Sequence, residues 1–227
     1  IVVASISSNL PKWPAHFYEH AKYTDLIERK LQSGNLLLVY GLVGSKSSSA
    51  LAFARKQQQR NKTTSSTFCW INCECRETRA RSLLDILKIR REKQPDSRVL
   101  LRFEAALRTS LSLGKQTLLV CDNLNEPSLL PEPFIQLLSR FPTQLKLIVT
   151  TQNRAEFTEA ILKCKSELVV EELEINAVYD RNELRGHLES AKASEALISE
   201  ILLIPKRDMT AYTVTKTLAF LSAQNNR

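Results

Sequence analysis

Five short apolar runs alternate along the chain with longer stretches in which apolar residues recur every three or four positions. Runs of Leu, Val and Ile are typical of parallel strands, because such strands are covered on both faces. Helical periodicity between successive strands predicts right-handed crossovers onto a parallel sheet. The predicted strands are Leu36–Tyr40, Thr67–Asn72, Thr117–Asp122, Lys146–Thr151 and Glu167–Glu171.

Helical patterns fill the intervals between these strands and continue after the last one. No strand signal follows Leu173, so we expect an α/β domain over residues 1–173, with a leading segment over 1–23, and a small helical domain over 174–227. The predicted helices are Thr24–Gln32, Ser48–Asn61, Arg79–Arg91, Val99–Leu111, Phe134–Arg140, Ala155–Leu162, Asn176–Leu188, Ser194–Leu203 and Ala211–Ala223.

The segment between the first strand and its helix has the position of a phosphate-binding loop. The full pattern of such a loop is G-x-x-x-x-G-K-[ST], in which backbone N–H groups and a lysine hold phosphates and a hydroxyl holds Mg²⁺. Counted from Gly41, the last glycine of the pattern falls on Lys46 and the lysine on Ser47, and the hydroxyl falls on Ser48. Lys46 has a long, flexible side chain that is able to replace the lysine.

Polar residues also end the third and fourth predicted strands. Asp122 and Asn123 follow one, and Thr150, Thr151 and Gln152 end the other. In doubly wound sheets, ligands bind at the carboxyl ends of the strands. A phosphate loop, an acid for magnesium and a polar sensor residue together form the arrangement of an NTPase site.

The composition agrees with a globular domain cut from a longer protein. The chain has 227 residues, of which 43% are hydrophobic and 25% charged, and it begins without Met. No apolar run reaches the roughly 20 residues of a membrane span. The odd number of cysteines, with Cys69 and Cys121 inside apolar runs, indicates reduced thiols and a cytoplasmic protein.

Positive charge is concentrated between Arg76 and Arg102, and the chain carries a net charge of +8. One interpretation is a nucleic-acid-binding face that includes Arg79, Arg90 and Arg91. The other is a solvated helix surface or a subunit interface. We favour the second, because no aromatic residues interleave with these arginines to stack on bases.

The order of these segments resembles the NB-ARC group of STAND ATPases, from about Pro11 to Leu188. The resemblance implies a P-loop NTPase fold, a three-layer α/β/α domain with a five-stranded parallel sheet followed by a small helical domain. It also implies ATP or ADP with Mg²⁺ held between the two domains. The residues implied are Phe17 and Tyr18 for adenine, Gly41, Gly44, Ser45, Lys46, Ser47 and Ser48 for phosphates, Ser48 and Asp122 for magnesium, and Thr151 and Gln152 as sensors.

Three positions depart from that family. Ser47 stands where the family has the P-loop lysine, Asn123 where it has a second acid, and Gln152 where it has an arginine. A lost charge-assisted contact is worth about 1.5–3 kcal/mol, and an asparagine cannot take a proton from water as a carboxylate does. We therefore expect weak or absent nucleotide binding and no efficient hydrolysis.

The expected function is that of a regulatory or oligomerisation domain in a larger signalling protein, in innate immunity or cell death. Its expected partners are the other domains of the longer chain, further copies of itself and signalling proteins. Two alternatives stay open at this point. One is a working ATP/ADP switch that depends on Lys46 and Asp122, and the other is a nucleic-acid-binding module that uses the basic 76–102 face.

Overall fold

The computed structural model describes residues 5–12, 21–41, 45–61, 66–89, 95–130, 132–163, 168–176, 181–190 and 194–203. Helices and strands alternate along them as the apolar pattern predicts. The helices are α1 (Ala21–Ser33), α2 (Ser45–Arg60), α3 (Arg76–Leu87), α4 (Asp96–Ser112), α5 (Glu132–Arg140), α6 (Arg154–Lys163), α7 (Arg181–Ser190) and α8 (Glu195–Leu202). The strands are β1 (Leu36–Gly41), β2 (Ser66–Asn72), β3 (Gln116–Asp122), β4 (Leu145–Thr150) and β5 (Val170–Ile175), and a 3-10 turn spans Pro127–Leu129.

The five strands form one parallel sheet in the order β2-β3-β4-β1-β5. Helices α1 and α2 cover one face, where Ile27 and Phe53 pack on β1 and β3. Helices α3 to α6 cover the other face, where Phe103 and Phe134 are fully buried. The prediction of a three-layer α/β/α fold with a five-stranded parallel sheet is confirmed.

Helix α2 begins three residues earlier than the pattern predicts, at Ser45 instead of Ser48. The polar run Ser45–Ser49 has no apolar periodicity, so the sequence does not show that a helix has already begun. The consequence is functional, because Lys46 and Ser47 lie in the first turn of α2 and not in an extended loop.

Helix α3 and strand β5 also differ from their predicted limits. Helix α3 starts at Arg76 and ends where Lys88 adopts a left-handed conformation, before the predicted end at Arg91. Strand β5 is Val170–Ile175 and extends beyond the predicted end at Glu171. As an outer strand it is only half covered, so its residues alternate, and the apolar run at its start includes Val169, which is 58% exposed.

The last two described helices, α7 and α8, overlap the predicted helices that follow the sheet. The third predicted helix, over residues 211–223, lies outside the described residues. Among the helices that the structure describes, none has the length and apolar character needed to cross a membrane.

Candidate functional site

The carboxyl ends of β1, β3 and β4 meet at one edge of the sheet, beside the first turn of α2. Gly41 ends β1 with φ of +119°, a conformation that side chains rarely adopt. A Cβ atom on Gly41 would lie 2.3 Å from the carbonyl oxygen of Ile175 in β5. Glycine is therefore required here by the approach of the neighbouring strand. Gly44, Phe17 and Tyr18, three of the expected binding residues, lie outside the described part of the chain.

Lys46 is buried in the first turn of α2, with 3% of its surface exposed. Its Nζ donates a hydrogen bond of 2.9 Å to the carbonyl oxygen of Gly41. Burial lowers the pKa of Lys46, and the negative charge of Asp122 acts in the opposite direction. The side chain thus points back to the carboxyl end of β1.

Ser47 supplies the hydroxyl that meets the strand-end acid. Its Oγ donates to Oδ1 of Asp122 at 2.6 Å. Counting the full pattern from Gly41 assigns this hydroxyl to Ser48, which lies one residue further along α2. The geometry instead favours Lys46 and Ser47 as the lysine–hydroxyl pair of the motif, in a loop one residue shorter than the full pattern.

Asp122 is the centre of a small hydrogen-bonded cluster. Thr150, at the end of β4, donates from its hydroxyl to Oδ1 of Asp122 at 2.6 Å and accepts from the N–H of Asn123 at 2.9 Å. Burial raises the pKa of Asp122, while the hydrogen bonds from Ser47 and Thr150 lower it. Asn123 has φ of 56°, in the left-handed region that asparagine tolerates.

Thr150, which was not among the predicted sensor residues, is the one that contacts Asp122. Thr151 is buried one residue later, where its N–H donates to the carbonyl of Val39 at 3.0 Å. Gln152 is exposed, and its N–H donates to the side chain of Asn125 at 3.0 Å. The parallel register explains this contact. It pairs Cys121 of β3 with Val149 of β4, so the residues that follow them, Asp122 and Thr150, lie side by side.

Ser45, the first residue of α2, has a buried hydroxyl without a hydrogen-bond partner among the described residues. It lies at a helix N-terminus, where backbone N–H groups favour anions. Ser47 and Asp122 offer the hydroxyl and carboxylate oxygens that magnesium prefers. These residues fit a magnesium–phosphate ligand in chemical type, although the loop that would surround the phosphates is one residue short.

Arg79, a candidate for the nucleic-acid face, is buried and has a structural role instead. Its guanidinium pairs with Asp96 at the start of α4 and donates to the carbonyl of Leu129. It therefore joins α3 to α4 and to the turn after β3, and is not available to a phosphate backbone. Arg90 and Arg91, the other two candidates, are not among the residues that the structure describes.

The exposed surface of α3 and α4 carries charges of both signs. Acidic residues such as Glu77 and Asp85 stand among its basic residues, which weakens any continuous positive field. The exposed basic residues are Arg76, Arg81, Lys88, Arg98, Arg102 and Arg108.

The described cysteines are free thiols. Cys69, Cys73 and Cys121 are buried between β2, β3 and the helices behind them. Burial raises the pKa of Cys69, so its thiol stays protonated and unreactive.

Solved structures with the same fold include three archaeal proteins. Cdc6p from Pyrobaculum aerophilum matches with a TM-score of 0.58 and 17% identity over 97% of this chain and 65% of that one. Aeropyrum pernix ORC1, solved in complex with DNA, gives a TM-score of 0.59 and 17% identity over 97% and 62%. Aeropyrum pernix ORC2, solved in ADPNP–ADP complexes, gives 0.56 and 13% over 88% and 67%. This chain therefore spans about two thirds of the length of these relatives.

No protein-family model matches the sequence, and no curated protein matches it. Likeness at such low identity shows the fold, which is that of the P-loop NTPases. The comparisons do not single out the NB-ARC group, and they give no support to a role in innate immunity or cell death.

Proposed function

We propose that this chain is a degenerate nucleotide-binding module of the P-loop NTPase fold, with a regulatory or scaffold role in a longer protein. The observation that carries the proposal is that the expected ligand-binding groups bind one another. Lys46 is bonded to the carbonyl of Gly41, and Ser47 and Thr150 both donate to Asp122. A ligand has to break these bonds before it gains new ones, which lowers its affinity.

We expect hydrolysis to be slow even when nucleotide is bound. The residue after Asp122 is Asn123, which cannot accept a proton from an attacking water. Asp122 itself already accepts two hydrogen bonds and is 7% exposed. When magnesium–nucleotide is bound, the metal would supply charge neutralisation at the phosphates. Ser47 and Asp122 would hold the metal, and Lys46 and Ser45 would face the phosphates.

The partners follow from this role. We propose the other domains of the longer chain, further copies of the module and protein ligands in the cytoplasm. The buried, reduced thiols agree with a reducing compartment. The narrower kinship with NB-ARC proteins remains a hypothesis that rests on the order of the segments. The boundary between the α/β domain and the helical domain at residue 173 also remains a hypothesis that rests on the sequence. Strand β5 continues to Ile175, two residues beyond it.

The experiment that tests the proposal is to denature the purified protein, assay the supernatant for adenine nucleotide, and titrate Mg-ATP and Mg-ADP calorimetrically. We expect no stoichiometric nucleotide and a Kd above about 100 μM, or no heat at all. Steady-state hydrolysis should be indistinguishable from that of the Lys46→Ala variant. Turnover near the ordinary enzymatic range of about 1–10 s⁻¹, lost in Lys46→Ala, would contradict the proposal.

A second candidate is a nucleotide-held switch. The buried Ser45 hydroxyl without a hydrogen-bond partner in the described residues favours it, as does the 2.6 Å contact between Ser47 and Asp122. This candidate predicts that ADP or ATP copurifies and is lost in Lys46→Ala. Ser48→Ala is the matched control, because the switch assigns the metal to Ser47: Ser47→Ala should release the nucleotide and Ser48→Ala should retain it.

A further inference from the structure

The segment Ser7–Pro11, here called the strap, covers the outer edge of β2. Strand β2 is at one end of the sheet order, so among the described residues no strand lies beside one side of its backbone. Phe68 and Trp70 direct their N–H and C=O groups to that side, and the strap binds all four. The N–H of Asn9 donates to the carbonyl of Phe68 at 3.2 Å, and the N–H of Phe68 donates to Oγ of Ser8 at 3.0 Å.

The side chain of Asn9 takes the place of a strand's peptide group. Its Oδ1 accepts from the N–H of Trp70 at 2.7 Å, and its Nδ2 donates to the carbonyl of Trp70 at 2.8 Å. The N–H of Asn9 also donates to the carbonyl of Phe68, so Asn9 binds the residues before and after Cys69. A residue of a parallel neighbouring strand makes bonds to the same two positions. The strap is thus a substitute for a sixth strand, built largely from side chains.

Two anchors hold the strap in position. The N–H and hydroxyl of Ser7 both donate to the carbonyl of Ile86 at the end of α3, at 3.1 and 2.7 Å. Arg55 of α2 donates to the carbonyl oxygens of Leu10 and Pro11. The strap is therefore attached to helices on both faces of the sheet.

The covered edge lacks the features by which proteins usually protect outer strands. Strand β2 has the sequence STFCWIN, which contains no charge, proline or glycine. Short uncharged segments rich in aromatic and β-branched residues pair readily with other strands when they are exposed. The opposite outer strand, β5, carries Glu171, Glu172 and Glu174, and two copies of it would repel one another.

We infer that the outer edge of β2 is a latent pairing surface for a second copy of this chain, and that the strap keeps it covered. A two-fold interface uses the same patch on both copies. An antiparallel pairing centred on Cys69 sets Phe68 opposite Trp70 of the second copy, so the backbone groups released by the strap find partners again. This inference is independent of nucleotide binding.

The test removes the side chains that replace the missing strand. In the double variant Ser8→Ala/Asn9→Ala, we expect hydrogen exchange at the Phe68 and Trp70 amides to accelerate about tenfold or more at low concentration. Sedimentation velocity should show a dimer at higher concentration, and in that dimer both amides should regain protection. Ser7→Ala is the control, because the N–H of Ser7 still donates to the carbonyl of Ile86. This variant should keep the sedimentation behaviour and the exchange rates of the wild-type protein.

Two results would overturn the inference. The first is faster exchange at Phe68 and Trp70 in a double variant that keeps the oligomeric state of the wild-type protein at every concentration. The second is a dimer in which these two amides remain unprotected, since another surface would then be responsible. The single variant Asn9→Ala keeps the bond between Ser8 and Phe68, and is the milder test if the double variant does not fold.

Discussion

Two buried cations show how differently the same degree of burial is used. Arg79 and Lys46 are 7% and 3% exposed, and each lies in the first turn or so of a helix beside the end of a strand. Arg79 has a carboxylate partner in Asp96 and a carbonyl partner in Leu129. Lys46 has a bond to the carbonyl of Gly41, and burial lowers its pKa. Arg79 thus joins two helices and a turn through an ion pair, whereas Lys46 has only a carbonyl oxygen as its hydrogen-bond partner among the described residues.

The largest effect is expected from Arg79→Met, which keeps the side-chain length and removes the charge. It leaves Asp96 and the carbonyl of Leu129 without their partner, so the free energy of unfolding should fall by about 3 kcal/mol in a denaturant titration. Arg81→Met, on the exposed side of the same helix, is the control and should change stability by less than about 0.5 kcal/mol. A loss below about 1 kcal/mol for Arg79→Met would show that the pair is not structural.

Thr150→Val should have an intermediate effect. It removes the hydrogen bond to Asp122 and leaves the N–H of Asn123 without an acceptor, which should lower the free energy of unfolding by about 1.5 kcal/mol. Thr143→Val, at an exposed turn, is the matched control. Equal stability of the two variants would mean that water replaces the Thr150 hydroxyl.

Lys46→Met should have a small effect, within about 1 kcal/mol of the wild-type protein and towards higher stability. The variant removes a desolvated cation, and the loss of its attraction to Asp122 offsets part of the gain. The same unfolding titration measures it beside Arg79→Met. A destabilisation as large as that of Arg79→Met would remove the contrast between the two cations.

The smallest effect is a pH dependence of stability from Asp122. Its pKa is raised in the folded protein above the ordinary 3.8, so the folded state binds more protons than the unfolded state just above that value. The stabilisation is complete below the ordinary pKa and is lost as pH rises through the raised pKa. Asp122→Asn should abolish this decline in a series of unfolding titrations from acid to neutral pH. An identical pH profile in the variant would assign the decline to other groups.

The sequence predicts strands β1, β3 and β4 well, because strands buried on both faces have continuous apolar runs. It fails at β5, where an outer strand alternates and the apolar run precedes it. The burial of Arg79 could have been predicted from the spacing of residues in α3, although not from the number of charges. Arg79, Leu83 and Ile86 share one stripe of α3 at helical spacing, and this stripe faces the core.

The candidate site is less predictable than the fold, because its geometry depends on the length of a loop. Counting from Gly41 keeps the motif in register only if no residue is missing. The contact between Ser47 and Asp122 favours a motif that is one residue shorter, and no count along the chain reveals this contact. The role of Asn9 is equally hard to predict, because its side chain binds Trp70, which lies 61 residues further along the chain.

The conformation of Gly41 gives this glycine a structural role that does not depend on nucleotide binding. A side chain at this position would collide with the backbone of Ile175 whether or not a phosphate is bound. The packing of β1 against β5 therefore requires glycine at position 41, whatever the residues at the neighbouring strand ends do. A glycine at the start of a phosphate loop can therefore be required by strand packing alone. Its presence does not show that the loop binds phosphate.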